Sequence, residues 1–319
     1  MRNLSTLAWR VYDAPTKPWH GVVADTEGDD SVYVMRVERR DGVSQLTLAH
    51  ITPTGTEELA VLEVASAPPH VPDVADFRLL ADGGSSVNHM PAICVIGSGG
   101  DIVLMPVDEE ASAPAEVVGS VDQGILAAAW SPEEDVLVLI TGGEKRLIVM
   151  TREFEVMSET MLSTEAFGDD QPVNVGWGSK STQFHGSEGK QAAMAAANAP
   201  EESDPRGPLV PEDDGLPRIS WRGDGAFFVT SSAEASHDTV HRILRTYTRT
   251  GTLSATSDRS VRGISHVLAC RPTGNLIATT QRMGGPWAPG RHGRHDVVFF
   301  ERNGLRHGEF SLREEHGSV

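Results

Sequence analysis

The chain has 319 residues, which is enough for one large domain or two ordinary ones. Its formal net charge of −18 argues against a broad surface for nucleic acids or anionic membranes, because phosphate groups are bound by cationic faces. No stretch approaches the roughly 20 apolar residues that span a bilayer, and two cysteines, Cys94 and Cys270, cannot form a disulfide framework. We therefore expect a soluble intracellular protein with no membrane partner.

One pattern recurs along the chain. An apolar run ends in an aromatic or bulky residue, a polar turn follows, and a second apolar run begins. In chain order the copies are a weak one at Gly21–Ala24, a weak one near Leu80, and four clear ones that end at Trp130, Trp177, Trp221 and Cys270. The clear copies are 47, 44 and 49 residues apart. A period of roughly 40–50 residues with several strands per unit is typical of propeller blades.

Further strands are predicted inside each unit. Gly-containing pairs that separate apolar runs predict hairpin turns, because glycine accepts a positive φ at little cost; these pairs are Asp41-Gly42, Gly99-Gly100, Thr250-Gly251 and Asn303-Gly304. We predict an all-β fold, a WD40-like β-propeller that occupies residues 1–319 as a single domain. About six of a probable seven blades are visible, and a seventh would begin only after Phe310. We therefore expect either a fragment of a longer protein, with a ring that is incomplete at its C-terminal end, or an atypical closed propeller.

Two stretches break this period. Residues 189–215 are rich first in alanine and then in acidic residues and proline, and we predict a disordered insertion loop there. Residues 284–295 are predicted to be a surface loop. Their basic residues, with Arg302, Arg306 and His307 beyond them, favour a solvated loop tip over a phosphate-binding site.

Motifs that could carry chemistry are weak. His237 and His241 have the spacing of a metalloprotease pair, but they lie where strands are expected, so we predict a surface hairpin loop. The segments Gly97–Gly100 and Gly186–Gly189 match neither a phosphate-binding loop nor a nucleophile elbow, and hairpin turns are predicted instead. We predict no catalytic, cofactor-binding or metal-binding residues and no cofactor.

Structural residues are predicted with more detail. Trp130, Trp221 and Cys270 should form blade core, and Cys94 should be a small core residue as well. The segment Val175–Lys190 is Gly-rich and has few aliphatic residues, which describes a shaped loop. Four of its residues are candidates for an interface or for a contact that locks two blades together: Trp177, Gln183, Phe184 and His185.

This segment closely resembles the signature of the largest subunit of the Elongator complex, the IKAP family. Other segments are similar to the same family in the same order, and they include Trp130–Pro132, Ser220–Gly225 and Asp296–Leu305. The resemblance implies a non-catalytic scaffold that forms most of the first of two N-terminal propellers. It also implies a role in modification of the wobble uridine (U34) of tRNA.

The implied partners are two other Elongator subunits, the catalytic one with radical-SAM and acetyltransferase-like domains and the one with tandem propellers. Contact with tRNA would be indirect. The implied location is the cytoplasm, with the nucleus left open as a second one. Two alternatives stand beside this interpretation: a propeller hydrolase with a metal or loop-built site in the central channel, and direct tRNA binding by residues 291–307.

Overall fold

The computed structural model describes nine ranges of the chain: 21–24, 31–52, 54–80, 91–107, 114–162, 208–236, 239–257, 261–282 and 295–312. Within them it contains five antiparallel sheets of four strands each, and in every sheet the spatial order of the strands follows the chain. No helix in these ranges has the length and apolar character that a membrane crossing requires. The prediction of an all-β propeller fold is confirmed.

The strands are numbered in chain order. Sheet 1 contains β1 (Gly21–Ala24), β2 (Val32–Arg40), β3 (Val43–Ile51) and β4 (Thr56–Ala65). Sheet 2 contains β5 (Val74–Leu80), β6 (Ala92–Gly97), β7 (Asp101–Pro106) and β8 (Glu116–Ser120). Sheet 3 contains β9 (Ile125–Trp130), β10 (Val136–Thr141), β11 (Arg146–Thr151) and β12 (Val156–Met161). Sheet 4 contains β13 (Arg218–Trp221), β14 (Phe227–Ser236), β15 (Thr239–Thr248) and β16 (Leu253–Thr256). Sheet 5 contains β17 (Ile264–Cys270), β18 (Ile277–Arg282), β19 (His295–Phe300) and β20 (Arg306–Ser311).

The first strand of each sheet contacts the first strand of the next, so that β1, β5, β9, β13 and β17 follow one another on one side of the assembly. Apolar residues fill each of the four spaces between consecutive sheets. The middle strands β6 and β10 are buried at every position. This is why their sequences are continuous apolar runs and not alternating ones.

The hairpin turns lie at the Gly-containing pairs that predicted them, and each pair has a glycine with positive φ. Gly100 has φ +120°, and a Cβ there would lie 2.1 Å from the Val121 carbonyl oxygen. Gly304 has φ +83°, and its Cβ would lie 2.0 Å from the Thr256 carbonyl oxygen. Both positions therefore require glycine for its backbone conformation and for the close approach of a second chain segment.

The number of blades differs from the prediction of about six. Five sheets lie in the described ranges, and the unit that ends at Trp177 falls outside them. The sheets on either side of that unit in sequence, sheets 3 and 4, pack directly against each other. The indole N–H of Trp221 in β13 donates to the Ala129 carbonyl oxygen in β9 at 3.2 Å. An evenly spaced series of blades from Trp130 through Trp177 to Trp221 is therefore wrong.

The predicted disordered loop, residues 189–215, includes eight C-terminal residues that are packed on a sheet. Residues 208–215 are described, and they pack on sheet 4: the Leu209 N–H donates to the Val240 carbonyl oxygen at 2.8 Å, and Val210 is buried. At the other end of the same connection, Leu162 is buried and its N–H donates to the Lys145 carbonyl oxygen at 2.9 Å. The acidic composition suggested disorder here. The sequence did not show that the carboxylates of residues 212–214 pair with arginines of the sheets.

Candidate functional site

The three predicted blade-core residues all end the first strand of a sheet. Trp130 ends β9 and Trp221 ends β13, and both are buried, with 4% and 9% of their surface exposed. Cys270 ends β17 but is only half-buried, because it lies at the margin of the space between sheets 4 and 5. The four predicted interface residues fall outside the described ranges: Trp177, Gln183, Phe184 and His185.

The two tryptophans belong to different inter-sheet spaces. Trp130 packs between sheets 2 and 3, where the ring of Phe154 meets it edge to face at a centroid distance of 5.9 Å. Trp221 packs between sheets 3 and 4 against Phe228, which in turn stacks on Tyr247 at 5.3 Å. A large ring at the end of β9 and of β13 thus joins one sheet to its neighbour.

Both cysteines are poor nucleophiles. Burial raises the pKa of the Cys94 thiol far above its usual range, the charge of Asp76 raises it further, and an interaction with Trp130 offsets only part of this. Burial also raises the pKa of Cys270 to about 11, against the smaller opposite effect of Ser220. A thiol that stays protonated does not attack a substrate or bind a metal readily, so these residues serve packing.

The most unusual cluster of charges comes from a segment that we call the acidic clasp, Glu212–Asp214. Each of its three carboxylates binds one arginine from a different strand. Glu212 pairs with Arg282 of β18, Asp213 with Arg242 of β15, and Asp214 with Arg218 of β13. These arginines belong to sheets 4 and 5. The clasp therefore binds the segment that precedes β13 to both sheets.

The central pair of the clasp is fully buried. The side chains of Asp213 and Arg242 have no exposed surface, and the guanidinium donates to the carboxylate through Nε at 2.7 Å and through Nη2 at 2.5 Å. Arg242 Nη1 also donates to the Leu216 and Ser231 carbonyl oxygens. A buried pair of this kind offsets its desolvation cost only when both groups are fully hydrogen-bonded, and this one is well supplied with partners.

A small cavity of about 190 Å³ adjoins the clasp, and the residues that line it include Glu212, His266, Arg282 and His295. His266 approaches Asp213 and Asp214 so closely that one ligand atom from each of the three lies within 4.8 Å of the others. These three residues could in principle hold a divalent cation. Such an ion would have to displace arginines that already bind both carboxylates, so the geometry favours a structural network over a metal centre.

The electrostatics of Asp214 agree with that interpretation. Its partial burial opposes ionisation, yet the hydrogen bond from Arg218, the Leu216 N–H and the positive charge of Arg218 together lower the pKa of the carboxyl below its usual value. Asp214 therefore stays ionised and bound to Arg218 at neutral pH.

Asp76 on β5 behaves in the opposite way. Burial raises its pKa from 3.8 to about 6, although the Arg78 charge and the Phe77 N–H act to lower it. It lies beside Cys94 and hence close to the Trp130 contact between sheets 2 and 3. Because Asp76 lies opposite Ile96 of that core, its titration should affect how sheets 2 and 3 pack.

Two sequence interpretations of chemistry-bearing residues need correction. His241 is not in a surface loop: it lies in β15 opposite Glu234 and is only 2% exposed. Arg306 is not at a solvated loop tip either, since it is buried in β20 and pairs with Glu309. Nearby, His307 Nδ1 lies 2.6 Å from Glu301 Oε1, and Arg302 lies over the Phe227 ring at 5.0 Å.

The acidic clasp and its arginines were missed by sequence reasoning. The signal in the sequence was the presence of arginines inside a predicted strand, Arg242 and Arg245 in β15. A buried arginine requires a carboxylate partner. That rule could have directed attention to the acidic run at 212–214.

The chain is similar to known proteins of one family. A family model described as "ELP1 first N-terminal beta-propeller" matches residues 1–319. Elongator complex protein 1 of Mus musculus is 34% identical over 98% of this chain and 21% of its own length. The protein of the same name in Schizosaccharomyces pombe is 38% identical over 70% of this chain and 17% of its own length. The chain thus spans about a fifth of the length of these relatives.

The chain is also similar to a solved structure, the C-terminal WD40 domain of Sif2. The alignment covers 88% of this chain and 57% of the Sif2 chain, with a TM-score of 0.47 and 14% identity.

Proposed function

Since the chain belongs to the family of first N-terminal β-propellers of Elongator complex protein 1, we propose that it is a non-catalytic assembly module of the Elongator complex. The match of the family model along residues 1–319 carries this proposal. The structure is compatible with it, because the buried guanidinium groups of Arg242 and Arg245 are engaged in ion pairs that stabilise sheet 4 and the segment packed on it.

The proposed partners are the other core Elongator subunits, namely the catalytic subunit with radical-SAM and acetyltransferase-like domains and the tandem-propeller subunit. In this proposal the module helps to position them for modification of the wobble uridine of tRNA. Its net charge of −18 supports indirect contact with tRNA, because a surface of this sign repels phosphate. We place the protein in the cytoplasm, with the nucleus as a second compartment.

Reconstitution tests the proposal. The 319-residue chain is combined with the purified partner subunits, and the same subunits are run without it; assembly is measured by size-exclusion chromatography with light scattering. We expect the chain to co-elute with at least one partner subunit in a complex of defined mass. No complex with either subunit would disprove the assembly role.

The metal hydrolase alternative makes a separate prediction. A hydrolase would need several ligand side chains that converge free of other partners, whereas the nearest such group, Asp213, Asp214 and His266, is engaged by Arg242 and Arg218. Stoichiometric zinc or manganese in the purified protein, lost on Asp214→Asn substitution, would favour the hydrolase.

A further inference from the structure

The outer strand of sheet 3 carries more exposed large apolar side chains than any other described strand. Nine large apolar side chains are well exposed in the described ranges, and three of them lie on β12: Val156, Met157 and Met161. The other six are distributed one to a strand. Since the other outer strands carry at most one such residue, β12 stands out as a concentrated apolar patch.

The pairing register shows which way two of these side chains point. Val156 lies opposite Met150, and Met161 lies opposite Arg146, two residues from Ile148. Directly opposed residues in an antiparallel pair project to the same face of a sheet. Met150 and Ile148 belong to the core between sheets 2 and 3, so Val156 and Met161 project into the outer part of that same space.

The facing wall of this space comes from sheet 2. Glu116 lies opposite Leu104, and Gly119 lies opposite Ile102, both of which belong to the same core. Val118 and Phe154 pack against the edge of this core. The space between the two outer strands β8 and β12 therefore has an apolar floor, and Val156 and Met161 on its wall are 57% and 55% exposed. We call it the β8–β12 groove.

The backbone of β12 offers a second binding element. Sheet 3 ends at β12, with no further described strand on its outer side. The register shifts beside Met157, and from Ser158 to Met161 the pairing with β11 is regular again. A regular outer edge presents unpaired N–H and C=O groups that can accept another extended segment.

Charge identifies the chemistry of the occupant. The exposed carboxylates of Glu116, Glu155 and Glu159 flank the groove. Arg146 lies among them, but its guanidinium already donates to both Glu144 and Glu159. With the net charge of −18, this surface disfavours a second copy of the same chain and favours a cationic segment.

We propose that the β8–β12 groove docks an extended segment of a partner protein that presents apolar residues and a Lys or Arg on the same face. The segment adds as a fifth strand along Ser158–Met161. Its apolar side chains enter the groove beside Val156 and Met161, and its cation faces Glu116 on the opposite wall. This inference rests on the proposed assembly function and locates one of its surfaces.

The test is site-specific photocrosslinking in the reconstituted complex. The intact protein carries benzoylphenylalanine at position 161 and is mixed with the purified Elongator subunits, and the crosslinked peptide is sequenced by mass spectrometry. We expect a crosslink to a partner subunit within an extended segment that carries apolar and basic residues on one face. Crosslinks only to residues 163–207 of the same chain, only to a second copy, or to no protein in an assembled complex would each overturn the proposal.

A pair of variants gives the energetic test. Val156→Glu combined with Met161→Glu should weaken binding of the crosslinked partner by at least tenfold, measured by fluorescence anisotropy with the identified segment as a labelled peptide. Val61→Glu, at a residue on the outer strand β4 that is 46% exposed, is the matched control and should change binding less than twofold. Equal binding by all three proteins would refute the groove while leaving the assembly function intact. A failure of the unmodified protein to join the other subunits would instead refute the assembly function.

Discussion

Two halves of this molecule are held together by different chemistry. Between sheets 2 and 3 the packed residues are almost entirely apolar and include Ile96, Leu137 and Trp130. Sheets 4 and 5 bury charged and amide groups as well, and Arg242, Arg245 and Gln281 are among them. An apolar space tolerates exchange between residues of similar volume, whereas each buried charge depends on one particular partner. The two halves should therefore respond differently to single substitutions.

The largest effect is expected in the apolar half. Trp130→Ala removes a buried ring from the contact with Phe154 and should lower the free energy of unfolding by about 3–5 kcal/mol. This loss is measured by urea denaturation followed by far-UV circular dichroism, which reports on the backbone and not on tryptophan fluorescence. Val117→Ala, on the exposed side of β8, is the control and should have little effect. A loss below about 1 kcal/mol for Trp130→Ala would contradict the placement of this residue in the core.

The stability of the charged half should depend on the ion-pair partners of its buried arginines and less on side-chain volume. Asp213→Ala strands a fully buried guanidinium, and we expect a loss of about 3 kcal/mol, at the lower end for a broken buried pair. The lower end applies because Asp214 Oδ1 lies 3.9 Å from Arg242 Nη2 and takes up part of its charge.

The double variant Asp213→Ala with Arg242→Met separates pairing from packing. Because it removes both charges, it should recover most of the stability that Asp213→Ala loses. Thermal and urea denaturation of the four proteins in this cycle measure the coupling. Additive losses in the double variant would show that the arginine stabilises the sheets through contacts other than the carboxylate.

Asp76 introduces a pH dependence into the apolar half. Burial raises its folded pKa to about 6, above the value of 3.8 expected for the unfolded chain. The folded state therefore holds this proton more tightly, and the resulting stability is complete below pH 4 and is lost as pH rises through 6. Partial solvent contact reduces the effect, so we expect Asp76→Asn to be more stable than the parent protein by about 1–3 kcal/mol at pH 7.5.

The measurement is the difference between the urea midpoints of the two proteins from pH 4 to pH 8. Groups common to both cancel in this difference, which should be near zero at pH 4 and grow up to about pH 6. Parallel curves across the whole range would show that Asp76 titrates normally.

The smallest effect is expected for a surface arginine. Arg146 binds Glu144 and Glu159, but all three side chains are exposed. Exposed pairs of this kind contribute little, because water and salt screen them. Arg146→Gln should leave the thermal midpoint unchanged within error. A loss that matched Asp213→Ala would remove the distinction between buried and exposed arginines.

The sequence predicted the parts of the fold that depend on local patterns. The apolar runs at Ile125–Trp130 and Val136–Ile140, with a polar turn between them, became β9 and β10. The turn at Asn303-Gly304 was identified for the same reason, since backbone conformation there requires glycine. Even the projected weak copy near Leu80 coincides with the end of β5.

The parts that were missed depend on contacts between distant segments. The pairing of Asp213 with Arg242 joins residues on different elements, and no local pattern indicates which carboxylate an arginine will bind. The direct packing of sheet 3 on sheet 4 was missed because a constant period was extended through Trp177. The β8–β12 groove follows from register, which a single residue can shift and which sequence periodicity does not determine.

The chain is anchored on both sides of residues 163–207, and this has a consequence for a cut chain. The Leu162 N–H donates to Lys145 on one side, and the acidic clasp binds residues 212–214 on the other. The two anchor points are thus fixed by sheets 3, 4 and 5. A single break of the chain between them would leave both new ends bound, so the sheets should stay associated after such a cut.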